Sequence, residues 1–447
     1  MEFTKEGEEA ASQYSNDVIE SFSDRYQTFI QSHKTEREVI KGVIDALDGV
    51  KWVSDVDELH HGETYASKRH ERNLAVFTYN GLDEIRAIGS HVDSPCLHLK
   101  PFPVQEEDNV SFLKSHYYGG IKPYQWLNIP LSLRGVAYTE AGERVTVNIG
   151  SRQDDPVFTI PDLLPHLSQE QLDKKMKDAV RGEDLNALAG NRHGDDEDDA
   201  LRHNALRLLH EEYDLTESDL VGAELRLVPQ TDPHDVGFDR SLITGYGHDD
   251  RSSVYTSLQA LLTTSPSDTT SLAVFYDKEE IGSEGTTGAK NQFWNVLYED
   301  ILSLTDAEQT VNEVWANTKV LSADVTAASN PNFNDVQDKS NAALLGRGVS
   351  IKKYTGSKGK AGAHDASAEF TSSVIQTLQA NDVPWQSGVM GKIHIGGGGT
   401  IAKFIANRGA KVLDIGVPVL GMHAPQEVLS KADLYSAYQA FSAFYKG

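Results

Sequence analysis

The stretch "SLAVFYDKEE", residues 271–280, is an apolar run that ends on two adjacent glutamates, Glu279 and Glu280. Successive side chains of a strand point to opposite faces, so a purely structural pair needs only one exposed carboxylate. Each glutamate is therefore expected to have its own task. Other runs read the same way. "IRAIGSH" (85–91) is continuous in small and apolar residues, as in a strand buried on both faces, and "LAVFTYN" (74–80), "TKVLSAD" (318–324) and "AKVLDIGVPVLGMHA" (410–424) are further strands.

Between the strands lie helical patterns. "TEREVIKGVIDALDG" (35–49) has Thr35 and Glu38 at capping-box spacing, Ile40, Val43, Ile44 and Leu47 on one face, and Gly49 as a stop. "SSVYTSLQALL" (252–262) is a second helix. Residues 102–236 differ: alternating "ERVTVNIG", the Pro-rich "FTIPDLLPHL" and the polar "GEDLNALAGNRHGDDEDDALRH". The acidic run Asp195–Asp199 lacks the spaced ligands and central glycine of a calcium loop and reads as a solvated loop. Strand and helix alternation on both sides of a different middle predicts an α/β domain, residues 1–101 and 237–447, interrupted by a β-rich insertion, residues 102–236.

Composition excludes several classes. The chain has 447 residues and a formal charge of −26, which argues against nucleic acid and anionic membrane as partners, because phosphate neutralisation needs clustered Lys and Arg. The only cysteine, Cys96, leaves no intrachain disulfide and fits a reducing cytoplasm. With no basic segment followed by an apolar one at the start, and no long apolar run elsewhere, a cytoplasmic protein is expected.

Metal-type ligands gather at the strand ends: His91 and Asp93, Glu279 and Glu280, Asp324, and His423. Asp249 and Asp250 sit in a turn leading into a helix. Strand C-termini in an open α/β sheet share one edge, so these residues are expected to converge. Histidine with carboxylates and no thiolate suits a catalytic site for zinc, cobalt or manganese. If His91, Asp249, Glu280, Asp324 and His423 bind two divalent ions, three negative charges face four positive, and one bridging hydroxide balances them. Glu280 would turn to a metal while Glu279 carries the proton, and Asp93 would orient His91. Taken singly, the pieces have plainer readings: a surface H-x-D pair, a D-D helix cap, an E-E on a solvated face. From the residues alone, both a metal site and unrelated carboxylates stay open.

Five blocks in order, "SHVDSPCLHLKP", "GHDDRSSVYTSLQAL", "FYDKEEIGSEGTTGA", "SADVTAASNPNF" and "GVPVLGMHAP", resemble the aspartyl aminopeptidase and aminopeptidase I family of dinuclear zinc peptidases. "VFTIPDLLPHL" and "GGGGTIAKFIANRGAKVLDIG" match it too, and "KYTGSKGKAGAHDASAEF" is closer to the aminopeptidase I-like branch. The resemblance implies an α/β/α sandwich with a mixed sheet, interrupted by a dimerisation domain. It implies two divalent ions, zinc first and cobalt or manganese as alternatives. His91, Asp324 and a bridging Asp249 would hold one, and Glu280, His423 and the same Asp249 the other; a one-residue slip would make Asp250 the bridge. Glu279 would be general base to a metal-bridging water, and His166 would reach a neighbouring subunit's site. Peptides would be the substrates, with neutral or acidic N-terminal preference undecided, and the assembly a tetrahedral dodecamer built from dimers. The rivals are a dinuclear zinc carboxypeptidase or deacylase, and a non-catalytic scaffold of the same fold. His98, His248, His364 and His394 are expected to support the ligands or the fold rather than to bind metal, Cys96 to be a small buried residue, and Gly396–Gly399 lacks the Lys-Ser/Thr of a phosphate loop.

Overall fold

A computed structural model describes residues 9–152, 154–194, 200–265 and 267–447. The acidic run 195–199 and the first eight residues lie outside them. The chain packs as two compact units. One comprises Met1–Asp93, Pro233–Met422 and Gln426–Gly447; the other comprises Ser94–Asp232 and His423–Pro425. The second unit starts before residue 102 because the strand Cys96–Glu107 pairs with Glu224–Pro229 and Val110–Tyr118 in that unit's sheet. It ends before residue 236 because His234–Val236 pairs with Leu242–Gly245 of the first unit.

The first unit is built on a nine-stranded sheet. Its strand order is Lys51–Trp52, Thr64–Arg69, Asn73–Thr78, Thr270–Tyr276, Ile85–His91, Thr318–Ala323, Lys411–Gly416, Val349–Lys352 and Trp385–Ser387. The four strands from Thr270–Tyr276 to Lys411–Gly416 are mutually parallel, and antiparallel pairings flank them, so the sheet is mixed. Alternation along each strand sorts its residues between two cores. Ile88, Phe275 and Leu321 pack with Val254, Leu258 and Phe441 from helices His248–Thr263 and Lys431–Lys446. Ala87, Val274 and Val320 pack on the other face with Trp294, Leu297 and Tyr298 of helix Phe293–Ser303. Helices on both faces of one sheet make an α/β/α sandwich. Covering both faces is what permits the continuous apolar runs of the sequence.

Local signals agree with this packing. Thr35 and Glu38 form a reciprocal capping box on helix Glu36–Asp45, whose Val39, Ile40 and Val43 are buried. Gly49 follows with φ +71°, which glycine takes without steric penalty. A second sheet of this unit joins His234–Val236, Leu242–Gly245, Glu427–Ser430, Pro418–Leu420 and Thr326–Ala327.

The second unit is β-rich: six antiparallel strands in the order Arg144–Ile149, Leu131–Tyr138, Glu224–Pro229, Cys96–Glu107, Val110–Tyr118, Ala187–Gly190. Among the described residues no helix is long and apolar enough to cross a membrane.

Candidate metal centre

Strand order brings the ligands together. Ile85–His91 lies between Thr270–Tyr276 and Thr318–Ala323 and is parallel to both, with His91 opposite Tyr276 and Gly89 opposite Ser322. All three chains therefore leave the sheet at the same edge. His91 is the last residue of its strand, Asp324 is the first residue beyond its own, and Glu279 and Glu280 open a short 3-10 turn, Glu279–Ile281. Helix His248–Thr263 delivers Asp249 and Asp250 from its first turn, where both depart from helical geometry and a cis peptide joins them.

Nε2 of His91 lies 3.1 Å from Oδ1 of Asp249 and 4.0 Å from Oδ1 of Asp324. Two sets of potential ligand atoms, His91 with Asp249 and Glu280 and His91 with Asp250 and Asp324, each fall within 4.8 Å of one another. His91, Asp249, Asp250 and Asp324 are all buried. The supports are specific. Asp93 accepts the backbone N–H of Glu279 on one carboxylate oxygen and that of Glu280 on the other, both at 3.1 Å. Nδ1 of His91 lies 3.0 Å from the main-chain oxygen of Asp93 and 3.3 Å from its carboxylate. Asp250 accepts the N–H of His91 at 3.3 Å, and Glu427 that of Asp249 at 3.0 Å.

The electrostatics of the bare cluster are unfavourable. Burial pushes Glu279 up to about 8, with repulsion from Asp324, Asp93 and Asp249 adding to it against the pull of His91. Burial likewise raises Asp324 to about 6, opposed by Lys352 and reinforced by Asp249. Asp250 is driven well above the usual carboxylate range, by burial first and then by Asp324 and Asp249. His91 is pulled down by burial, but the carboxylates of Asp249 and Asp93 outweigh this and hold it well above the ordinary histidine value. So many like charges at one sheet edge call for cations. One imidazole among carboxylate oxygens, with no thiolate, is a donor set that fits zinc.

Neither set of ligand atoms includes the remaining sequence candidates. His423 packs with the second unit, has φ +67°, and its Nδ1 lies 2.8 Å from the oxygen of Gly120. His166 sits on an exposed turn of that unit, Pro165–Leu167. His98 stacks on Tyr118 with ring centroids 4.6 Å apart, and His364 lies 2.8 Å from the oxygen of Val412. Buried His248 pairs through Nδ1 with the Tyr26 hydroxyl at 2.7 Å and through Nε2 with the Ile243 carbonyl at 3.2 Å. His394 has φ +69°, Cys96 is buried, and Gly397–Gly398 pairs with Gly356–Ser357. Sequence reading missed Lys352, Asp414 and Glu427, all buried. The available signal was a charge inside an apolar strand, as in "GVSIKK" and "KVLDIG".

Comparison with known proteins shows the family. A family model described as aminopeptidase I zinc metalloprotease (M18) matches residues 29–445. A probable M18 family aminopeptidase 1 of Thermotoga maritima is 43% identical over 431 residues, 95% of each chain. A crystal structure of an M18-family aminopeptidase from Thermotoga maritima superposes with a TM-score of 0.96 at 41% identity, covering 100% of this chain and 99% of that one. The aminopeptidase I structure from Clostridium acetobutylicum gives 0.93 at 36% identity, covering 100% of both. The chain belongs to the M18 family of aminopeptidases and is a zinc-dependent metallo-aminopeptidase.

Proposed function

We propose that this aminopeptidase works with two zinc ions held by His91, Asp249, Glu280, Asp324 and His423, and with Glu279 as its general base. The observation that carries the reading is the meeting of His91, Asp249, Glu280 and Asp324 at one sheet edge. Of the adjacent aspartates, Asp249 takes the bridging place. Its Oδ1 lies 3.1 Å from Nε2 of His91, whereas Asp250 is engaged by the main-chain N–H of His91. Bound zinc supplies a polarised scissile carbonyl and a water of lowered pKa.

The protein supplies the rest. Glu279 is buried beside the ligands, and desolvation raises its proton affinity; once the ions have drawn it into its carboxylate form, it can take a proton from attacking water and pass it to the departing amine. Asp93 holds that turn through the N–H groups of Glu279 and Glu280, and orients His91. Substrates are peptides with a free N-terminus.

The second unit serves dimerisation, and His166 lines the site of a neighbouring copy. Supporting this, Leu163, Leu164, Leu167, Leu172 and Met176 around His166 are exposed, an apolar patch of the kind that marks interfaces. The structure of S. cerevisiae mApe1, with a TM-score of 0.77 and 22% identity, is that of a dodecamer. A tetrahedral dodecamer in the cytoplasm is the assembly we propose for this chain as well; a stable active monomer would overturn it.

The test is hydrolysis of Leu, Met, Asp, Glu and Lys p-nitroanilides by chelator-stripped protein restored with zinc, cobalt or manganese. Metal-dependent release is expected, and the panel decides between neutral and acidic preference. Turnover of N-acylated substrates only would favour the deacylase reading, and no release with any metal would favour a scaffold.

A further inference from the structure

Behind Asp324 stands a lysine with an unusual burden. Lys352 closes the strand Val349–Lys352 and is only 4% exposed. Its ammonium donates to the main-chain oxygen of Asp324 at 3.1 Å and to that of Val325 at 2.9 Å. These are the two carbonyls at the point where the chain leaves the sheet and the Asp324 carboxylate turns toward His91. The same peptide is hemmed in from another side. A Cβ on Gly416 would lie 1.9 Å from the oxygen of Asp324, and the Asp324 N–H donates to Ile415 at 3.1 Å.

A buried ammonium needs compensating charge. Asp414 provides it. The two residues are direct cross-strand partners, and Ser322 stands opposite Asp414 on the next strand. Asp414 is fully buried and accepts the hydroxyl of Thr400 at 2.6 Å. A polar row of Ser322, Asp414 and Lys352 thus crosses three strands of the sheet. Neutralising Asp414 would not require both lysine donors to point at the carbonyls of Asp324 and Val325. Carbonyl-directed donors are what a group needs if its task is to hold that peptide.

We propose that Lys352 is a positioning residue of the metal centre: it holds the Asp324 and Val325 carbonyls and so fixes the direction of the Asp324 carboxylate, while the charge of Asp414, its cross-strand partner, offsets that of the ammonium. The inference rests on the reading of Asp324 as a zinc ligand. Partners that orient metal ligands typically change metal affinity by about 10–100-fold when removed.

The test is zinc affinity and stoichiometry, measured by chelator competition on stripped protein, for wild type, K352M, K352M/D414N and D324N. K352M alone leaves Asp414 buried without its counter-charge and can fail to fold; the double variant removes that charge too, and its metal-free melting temperature reports folding. The expected result is a folded K352M/D414N that binds one of its zinc ions about 10–100-fold more weakly and loses kcat more than it gains KM. Wild-type zinc affinity in the folded double variant would overturn the proposal and leave Lys352 as a charge partner of Asp414. D324N separates the two possible failures. If it keeps wild-type zinc binding, the ligand assignment falls and takes the proposal with it. If D324N loses an ion while K352M/D414N does not, only the role of Lys352 falls.

Discussion

The carboxylate of Asp93 accepts the backbone N–H of Glu279 at 3.1 Å, tying the end of one strand to the turn that follows its neighbour. The second carboxylate oxygen does the same for Glu280. An asparagine can offer only one acceptor oxygen, and its amide would meet an N–H head-on. Asp93→Asn is therefore expected to lower zinc affinity by about 10–100-fold and kcat at least as much. Zinc titration with steady-state kinetics on reconstituted protein checks it; wild-type values for both would remove Asp93 from the site.

Glu279→Gln keeps the shape of the turn and removes the proton carrier. Zinc content should stay as in wild type while kcat falls by about 10²–10⁴-fold, the usual size of a general acid–base contribution. Elemental analysis beside kinetics separates the two quantities. Full turnover in this variant would end the assignment of Glu279 as base.

How far the site could be read before its geometry was known depends on the kind of interaction. Residues that end an apolar strand announce themselves, because a parallel sheet sends neighbouring strand ends to one edge; His91, Glu280 and Asp324 were legible for that reason. Thr35 with Glu38 was legible because a capping box is local. Hydrogen bonds to backbone have no sequence signature. Lys352 holds two carbonyls and Glu427 an N–H, and neither partner's identity depends on a side chain. The edges of the second unit were similarly hidden. Cys96–Glu107 follows the His91 strand so closely that composition does not change where the packing does.

Zinc loading should release protons. In the metal-free protein Glu279 sits near 8 and Asp324 near 6, and His91 is held well above the ordinary histidine value. Ligating groups must be deprotonated, and a cation pulls neighbouring carboxylates down as well. At pH 7, calorimetry in buffers of different ionisation enthalpy should report release of about one proton or more per protein. The number should fall as pH rises past 8. A chelator should lower the melting temperature, because zinc binds the folded chain. Buffer-independent heats at pH 7 would contradict the picture.

The acid limb of stability should carry a contribution from His248. Its Nδ1 accepts the Tyr26 hydroxyl, so the proton of the neutral ring is on Nε2 and is donated to the Ile243 carbonyl. Burial depresses its pKa to about 3, opposed by the Ile243 bond and helped by Arg251. In the unfolded chain the group titrates near 6.5, so the unfolded state binds the extra proton first. The stabilisation is therefore complete above about pH 6.5 and is lost progressively as pH falls toward 3. Tyr26→Phe leaves Nδ1 without its donor and should cost about 1–3 kcal/mol at pH 8. The loss of stability from pH 6.5 downward comes from the unfolded chain taking up the proton, so wild type and variant share it and differ by the lost hydrogen bond until the pH nears the variant's own buried-ring pKa. Denaturant unfolding of the zinc-loaded protein between pH 5 and 8 measures both effects. Wild-type stability that stays constant from pH 6.5 down to 5 would place the acid sensitivity in other groups.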